Sequence, residues 1–274
     1  MEYEHGYIDC HCHLSAPAFD HDREEVIQRA KESGVKAIVV VTEFYEEFQK
    51  TIDLCKKHEG FLFPCIGVHP VQPIEDSNWS RSAVVSDMEH LDSFVRKNEC
   101  SIVGVGEVGL DFMPRYVRTP EDKEGQRQVL RDQIKLAKDL DLPINVHSRS
   151  AGRPTIHLLK EENVKSAVLH AFDGRASHAL EGAKQGYYFS VPPCIVASEQ
   201  KQKLVKALPL ESLLLETDSP VLGPDKNIRN EPGNIRFSCE AIAKIKKVSV
   251  ETVMKVTSEN VFKLFPKLKS ILLK

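Results

Sequence analysis

The chain has 274 residues, with 37 Lys and Arg against 40 Asp and Glu and a formal net charge of -3, and its pI is near 6.4. Hydrophobic residues make up 41% and charged residues 28%, which supplies a sizeable core and excludes both a disordered chain and a broad electropositive face for coating duplex nucleic acid. No segment reaches the length of a membrane span, and residues 1–5 show neither the basic flank nor the apolar core of a signal peptide. The expectation is therefore an intracellular protein, cytoplasmic or nuclear, working as a monomer away from membranes.

In chain order, short β-rich apolar runs occupy residues 7–9, 37–41, 63–68, 102–106, 144–146, 167–169, 187–190 and 213–216. Amphipathic stretches separate them at 23–33, 44–58, 87–98, 124–140, 154–162, 176–184 and 199–207. Strands alternating with helices imply parallel pairing, and eight such units suit a single (β/α)8 TIM barrel spanning residues 1–274, an architecture that commonly uses about 250 residues. An open doubly wound sheet is the alternative. The longest irregular stretches, 70–86, 112–122 and 221–232, each follow a strand, where a barrel builds its substrate pocket. Residues 243–274 carry eight lysines against two glutamates, read as a solvated helix face.

The chemistry concentrates at strand ends. His11-Cys12-His13 follows the first strand, and alternation along a strand puts His11 and His13 on one face and Cys10 and Cys12 on the other. Glu107, His147, His170 and Asp218 follow strands four, five, six and eight. Four imidazoles and two carboxylates suit two divalent cations, Zn, Mn or Mg, with Glu107 able to bridge them. Such a pair of ions activates a water and stabilises both the attacking and leaving oxygens of a phosphoryl displacement. The seven cysteines are odd in number and scattered, as packed reduced thiols are.

His69, at the end of strand three, is a candidate to position a phosphate or a water. Arg149 and Arg229 are candidate phosphate clamps, and Phe112, Tyr116 and Trp79 candidate stacking partners for unpaired bases. Asp9 is read as structural.

His11-Cys12-His13, Gly106-Glu107-Val108-Gly109-Leu110-Asp111, His147-Ser148-Arg149, His170-Ala171-Phe172-Asp173-Gly174, Glu216-Thr217-Asp218-Ser219-Pro220 and Asn230-Glu231-Pro232 together resemble the TatD family of metal-dependent deoxyribonucleases. The resemblance runs along nearly the whole chain and implies an amidohydrolase-superfamily barrel that hydrolyses phosphodiester bonds of DNA through a metal-activated water. It implies one metal on His11, His13, Glu107 and Asp218 and a second on Glu107, His147 and His170; beside it, Asp218, Glu107 and His69 are the residues expected to do the catalytic work. Two places depart from the family pattern. Asp173 stands in a stretch that often reads His-Cys-Phe-Ser/Thr-Gly, and the basic run usual before Arg229-Asn230 is thinned to Pro224-Asp225-Lys226-Asn227-Ile228. Substrate choice and grip on a polyanion are the properties those departures touch. The expected activity is exonuclease-like action on single-stranded DNA or strand ends. A binuclear hydrolase of a small ester, lactone or phosphoester, or a metal-holding barrel that only binds, are the competing readings.

Overall fold

The computed structural model describes residues 6–74, 77 and 79–273; the N-terminal reading over residues 1–5 lies outside them. The strands are β1 (Tyr7–Cys12), β2 (Val35–Val41), β3 (Leu62–Cys65), β4 (Val71–Pro73), β5 (Ser80–Ser82), β6 (Val105–Gly109), β7 (Ile144–His147), β8 (Ala167–Leu169), β9 (Tyr188–Val191) and β10 (Leu213–Leu215). The helices are α1 (Arg23–Glu32), α2 (Tyr45–Lys57), α3 (Leu91–Lys97), α4 (Pro120–Asp139), α5 (Gly152–Glu161), α6 (Ala176–Lys184), α7 (Glu199–Ala207), α8 (Ile235–Lys246), α9 (Val250–Leu264) and α10 (Pro266–Leu272).

Eight strands run parallel as two sheets, β1-β2-β3 and β6-β7-β8-β9-β10, in sequential order. A doubly wound sheet reverses its strand order partway, so the sequential order removes that alternative. Backbone hydrogen bonds cross both seams between the sheets. At one, Val103 N–H donates to Pro64 O (2.9 Å) and Gly106 N–H to Ile66 O (3.2 Å); at the other, Asp218 N–H donates to His11 O and His13 N–H to Ser219 O, both at 2.9 Å. Buried Asp9 reinforces the second seam by accepting from the Thr217 N–H (2.9 Å) and hydroxyl (2.5 Å).

The interior is filled by Ile8, Cys10, Val39, Val41, Phe63, Cys65, Val103, Val168 and Leu214, and Phe265 and Leu268 pack on that same cluster. A larger apolar shell joins the strands to the surrounding helices. The alternation read for β1 breaks here. Its register against β2 slips between Asp9 and Cys12, so Cys10 joins the inner cluster while Cys12 joins the outer shell. The C-terminal segment is corrected in part: Lys244, Lys247, Lys255, Lys263 and Lys269 are exposed, but Lys246 and Lys267 are half-buried and Val261, Leu264, Phe265 and Leu268 are buried.

Helix α4 shows how the sequence sets an element and the element sets the site. Thr119 caps it, accepting from Asp122 N–H with Asp122 returning a bond, and Pro120 opens the first turn. Its buried face carries Val129, Leu130, Ile134 and Ala137, with two glutamines among them. Gln133 bonds both the N–H (2.8 Å) and the carbonyl (2.9 Å) of Val68. Gln126 does the same for Asp111, at 2.8 and 3.0 Å. Two buried amides thereby fix the backbone just before His69 and at Asp111, with every strong donor and acceptor matched.

The stretch 70–86 contains the antiparallel pair β4–β5, too short to show alternation in the sequence. Strand four begins later than its apolar run predicts: Ile102 N–H bonds back to Asn98 O, Val103 bonds across the seam, and the ladder to β7 starts at Val105. Glu107 accordingly lies within β6.

Candidate metal centre

The six predicted ligands converge on one buried point, and Glu107 divides them. Its Oε2 faces His13 Nε2 (3.3 Å) and His11 Nε2 (3.4 Å). Its Oε1 faces His147 Nδ1 (2.7 Å) and His170 Nε2 (2.8 Å). Asp218 Oδ1 joins the first pole, 3.2 Å from His13 Nε2 and 3.5 Å from His11 Nε2. Glu107 is itself placed by its N–H bond to Thr42 O (2.9 Å).

The next layer of contacts fixes ring orientation. His11 Nδ1 donates to Asn145 Oδ1 (2.8 Å), whose amide nitrogen is spent on Cys10 O (2.8 Å). That leaves the His11 Nε2 lone pair pointing at the centre. His147 presents Nε2 to Asp111 Oδ2 (3.2 Å), and Arg149 holds the same oxygen through Nε (2.8 Å) and Nη2 (2.6 Å). Gly109 makes room for this pairing at φ +146°, where a Cβ would fall 2.0 Å from His147 O. His69 Nδ1 contacts both the N–H (3.0 Å) and carbonyl (3.1 Å) of Val71, with Nε2 3.5 Å from Glu107 Oε1. Asn145, Asp111 and Glu216, which bond the candidate ligands or the turn after them, are not among the site residues read from the sequence; an Asn two residues before a strand-end His was the available sign.

Charge follows geometry. Burial alone raises Glu107, but the imidazoles of His170, His69 and His11 hold its carboxyl well below the usual range. Asp218 is likewise lowered against its burial by the hydrogen bond from His13. Burial takes His170 down to about 4 against the pull of Glu107. His147 goes the other way, to about 9, because Asp111 and Glu107 outweigh its desolvation. Behind His170, burial lifts Glu216 to about 8; its Oε1 accepts from Ala171 N–H (2.8 Å) and its Oε2 from the Ser190 hydroxyl.

These donors fit divalent cations. His11 Nε2 faces two carboxylate oxygens, and His170 Nε2 lies 2.8 Å from ionised Glu107. Imidazole and carboxylate donors gathered in this way repel unless protons or metal cations lie between them. Ligands about 2.1 Å from a tetrahedral ion stand about 3.4 Å apart, the spacing found in the pole of His11, His13, Glu107 and Asp218. Among the described residues three groups bring their donor atoms within 4.8 Å of one another, His11-His13-Asp218, His11-His170-Glu216 and His69-Glu107-His147. Glu216 has both oxygens engaged and stands 3.9 Å from His170 Nδ1, so its place is behind the ligands rather than among them.

Other candidates are distributed unevenly. A cavity of about 370 Å³ opens beside the centre, lined by His147, Arg149, His170, Asp173, Lys201 and Asp218 among others. Arg149 and Asp173 thus stand where the sequence placed them. Arg229 does not reach the cavity: it pairs with Asp22 (2.8 and 2.5 Å) and bonds Ala18 O (2.6 Å). Phe112 is half-buried with its ring beneath Lys123 and Arg127, Tyr116 lies beneath Arg115 and Arg149, and Trp79 is 71% exposed.

Two expected results follow. Asn145→Ala removes the acceptor that fixes the His11 tautomer and should weaken metal affinity roughly 10–100-fold while hydrolysis at saturating metal largely recovers; unchanged affinity in a metal titration would remove Asn145 from that role. Separately, the metal-free protein should lose stability as pH rises from about 6.5 to about 9, above the range in which the depressed His170 and His69 act in the opposite sense. His147, raised to about 9, contributes stability that is complete below 6.5 and lost on the way up. Asp9, raised by burial to about 7, and Glu216, raised to about 8, are protonated in the fold but ionised in the unfolded chain above about 4, so their effect has the same sign. A fall in Tm of roughly 5 °C or more over this window is expected. A Tm that rises with pH would contradict the charge assignment.

A family model described as TatD related DNase matches residues 8–266. The chain is 55% identical to human "Deoxyribonuclease TATDN3" over 98% of both proteins, and 34% identical to the Bacillus subtilis metal-dependent hydrolase YabD over 94% of this chain and 98% of that one. Its fold superposes on the crystal structure of the Escherichia coli TatD homologue YJJV with a TM-score of 0.82 at 28% identity, covering 95% of this chain and 98% of that one. The parallel strand order, the length of the match and the identity to these relatives agree, and the chain belongs to the TatD-related DNase family.

Proposed function

We propose that the chain is a metal-dependent hydrolase that cleaves phosphodiester bonds of DNA, with single strands or strand ends as the favoured substrate. The divided carboxylate of Glu107 carries the reading, since its two oxygens serve two separate sets of donors. In the proposal His11, His13, Glu107 and Asp218 hold one divalent cation and Glu107, His147 and His170 a second, which supply polarisation of a phosphoryl oxygen and acidification of water. Asp218, ionised and on the cavity wall, accepts the proton of the attacking water. Arg149, braced by Asp111, presents its guanidinium to a phosphate oxygen. Asp111 also keeps His147 directed at Glu107. The names of the relatives, human deoxyribonuclease and bacterial metal-dependent hydrolase, support the reaction class.

The preference for flexible strands rests on shape and charge. The centre is recessed, with the ligands' exposure between 0% and 9%, and the chain carries a net charge of -3. A rigid duplex has little positive surface to lie along, whereas a single strand can enter. Initial rates on linear single-stranded, circular single-stranded and blunt duplex DNA test this. The linear strand should be cut fastest; rapid cutting of the circle would exclude an end requirement, and equal rates on duplex would exclude entry by threading.

A further inference from the structure

Lys201 is a buried cation on the wall of the cavity that the sequence pattern did not mark. Its side chain is 8% exposed, and it lines the cavity with His147, Arg149, His170 and Asp218. Its ammonium donates to Ala171 O at 2.8 Å, and among the described residues it forms no ion pair. An ammonium so placed is costly unless anions balance it, and one carbonyl uses a single one of its three N–H donors.

The loop that meets it is held from both sides. Ala171 adopts φ +40°, a left-handed conformation rare for a residue with a Cβ. Its N–H is taken by Glu216 Oε1 (2.8 Å) and its carbonyl by Lys201. The strained turn directly after the ligand His170 therefore sits between a carboxylate behind the site and an ammonium on the cavity wall. The first turn of α7 fixes Lys201 in turn, with its N–H bonded to the capping Ser198 hydroxyl (3.3 Å).

We propose that Lys201 is a phosphate-binding residue of the active-site cavity: its two free N–H donors bind a non-bridging oxygen of the phosphate under attack or of its neighbour, in the cavity that Arg149 also lines. The inference rests on the phosphodiester reading above and adds the second cationic contact. Asp173 also lines the cavity and disfavours an anion close to it, so the phosphate lies beside Lys201, Arg149 and the candidate metal ligands. Lysine suits the place because it binds phosphate as a point charge on a flexible stem, whereas Arg149 is committed to a planar pairing with Asp111.

The test is a calorimetric titration of inorganic phosphate into metal-loaded protein, comparing wild type with Lys201→Met and Lys201→Arg at equal metal content and Tm. The Met variant should bind phosphate roughly 10-fold or more weakly, and the Arg variant within about 3-fold of wild type. On a single-stranded oligonucleotide the Met variant should raise KM by a similar factor with kcat changed little, a split that loss of the Ala171 bond alone does not produce. Phosphate affinity and KM unchanged in Lys201→Met would overturn the proposal. A wild type whose phosphate binding depends on Lys201 but which hydrolyses no DNA would instead overturn the phosphodiester reading and leave the anion site standing.

Discussion

Glu107→Ala is expected to abolish hydrolysis and to release metal from both positions at once. One carboxylate faces both sets of donors, His11 and His13 through Oε2 and His147 and His170 through Oε1, so its removal leaves neither set complete. Losing several kcal/mol of transition-state stabilisation corresponds to a rate loss of roughly 10³-fold or more. The variant also leaves four imidazoles packed around a void, so its folding is checked by circular dichroism before metal is counted. Elemental analysis then decides: two metals per chain with normal turnover would remove Glu107 from the bridging position and with it the two-pole arrangement.

Asp218→Asn should preserve the fold and lose most of the rate. Asp218 occupies a left-handed backbone conformation, φ +54°, which asparagine tolerates as readily as aspartate. Its backbone bonds to His11 and Val221 are untouched by the change. The amide coordinates weakly but accepts no proton, so the rate should fall by roughly 10²-fold or more, with the acidic limb of the pH–rate profile lost. A near-normal profile would place the base elsewhere. His69 is then next to test, although its Nδ1 is already engaged with the Val71 backbone.

The fold was legible because eight apolar runs alternate with amphipathic stretches, and all eight appear as parallel strands. Strand edges were less legible. Ile102 and Val103 read as strand from their hydrophobicity, yet the ladder with β7 starts only at Val105, because where a ladder begins depends on a neighbour no local pattern contains. The cysteine alternation failed for a related reason: a register slip in β1 cannot be seen in the β1 residues alone. His11 and His13 still meet, Nε2 to Nε2 at 3.3 Å, because their convergence depends on Asp218 and Glu107 as well as on the strand.

The ligand candidates stood out as titratable side chains at successive strand ends. The residues that orient them did not. Asn145 stands in an apolar strand and Gln126 and Gln133 in an amphipathic helix, and only their partners, His11 and the backbone of Asp111 and Val68, give them meaning. Arg229 shows the opposite error. It sits in a loop beyond the last strand, but Asp22 on the first βα connection captures its guanidinium, a pairing between residues far apart in sequence.

The account is tested most directly by stripping the protein of metal, adding Mg, Mn, Zn or Co in measured steps, and following hydrolysis of a linear single-stranded oligonucleotide beside a panel of small esters. No hydrolysis without metal, activity rising until two ions are bound per chain, and DNA favoured over the esters are the predicted results. Full activity in the stripped protein, full activity at one ion per chain, or esters cleaved while DNA is left intact would contradict it.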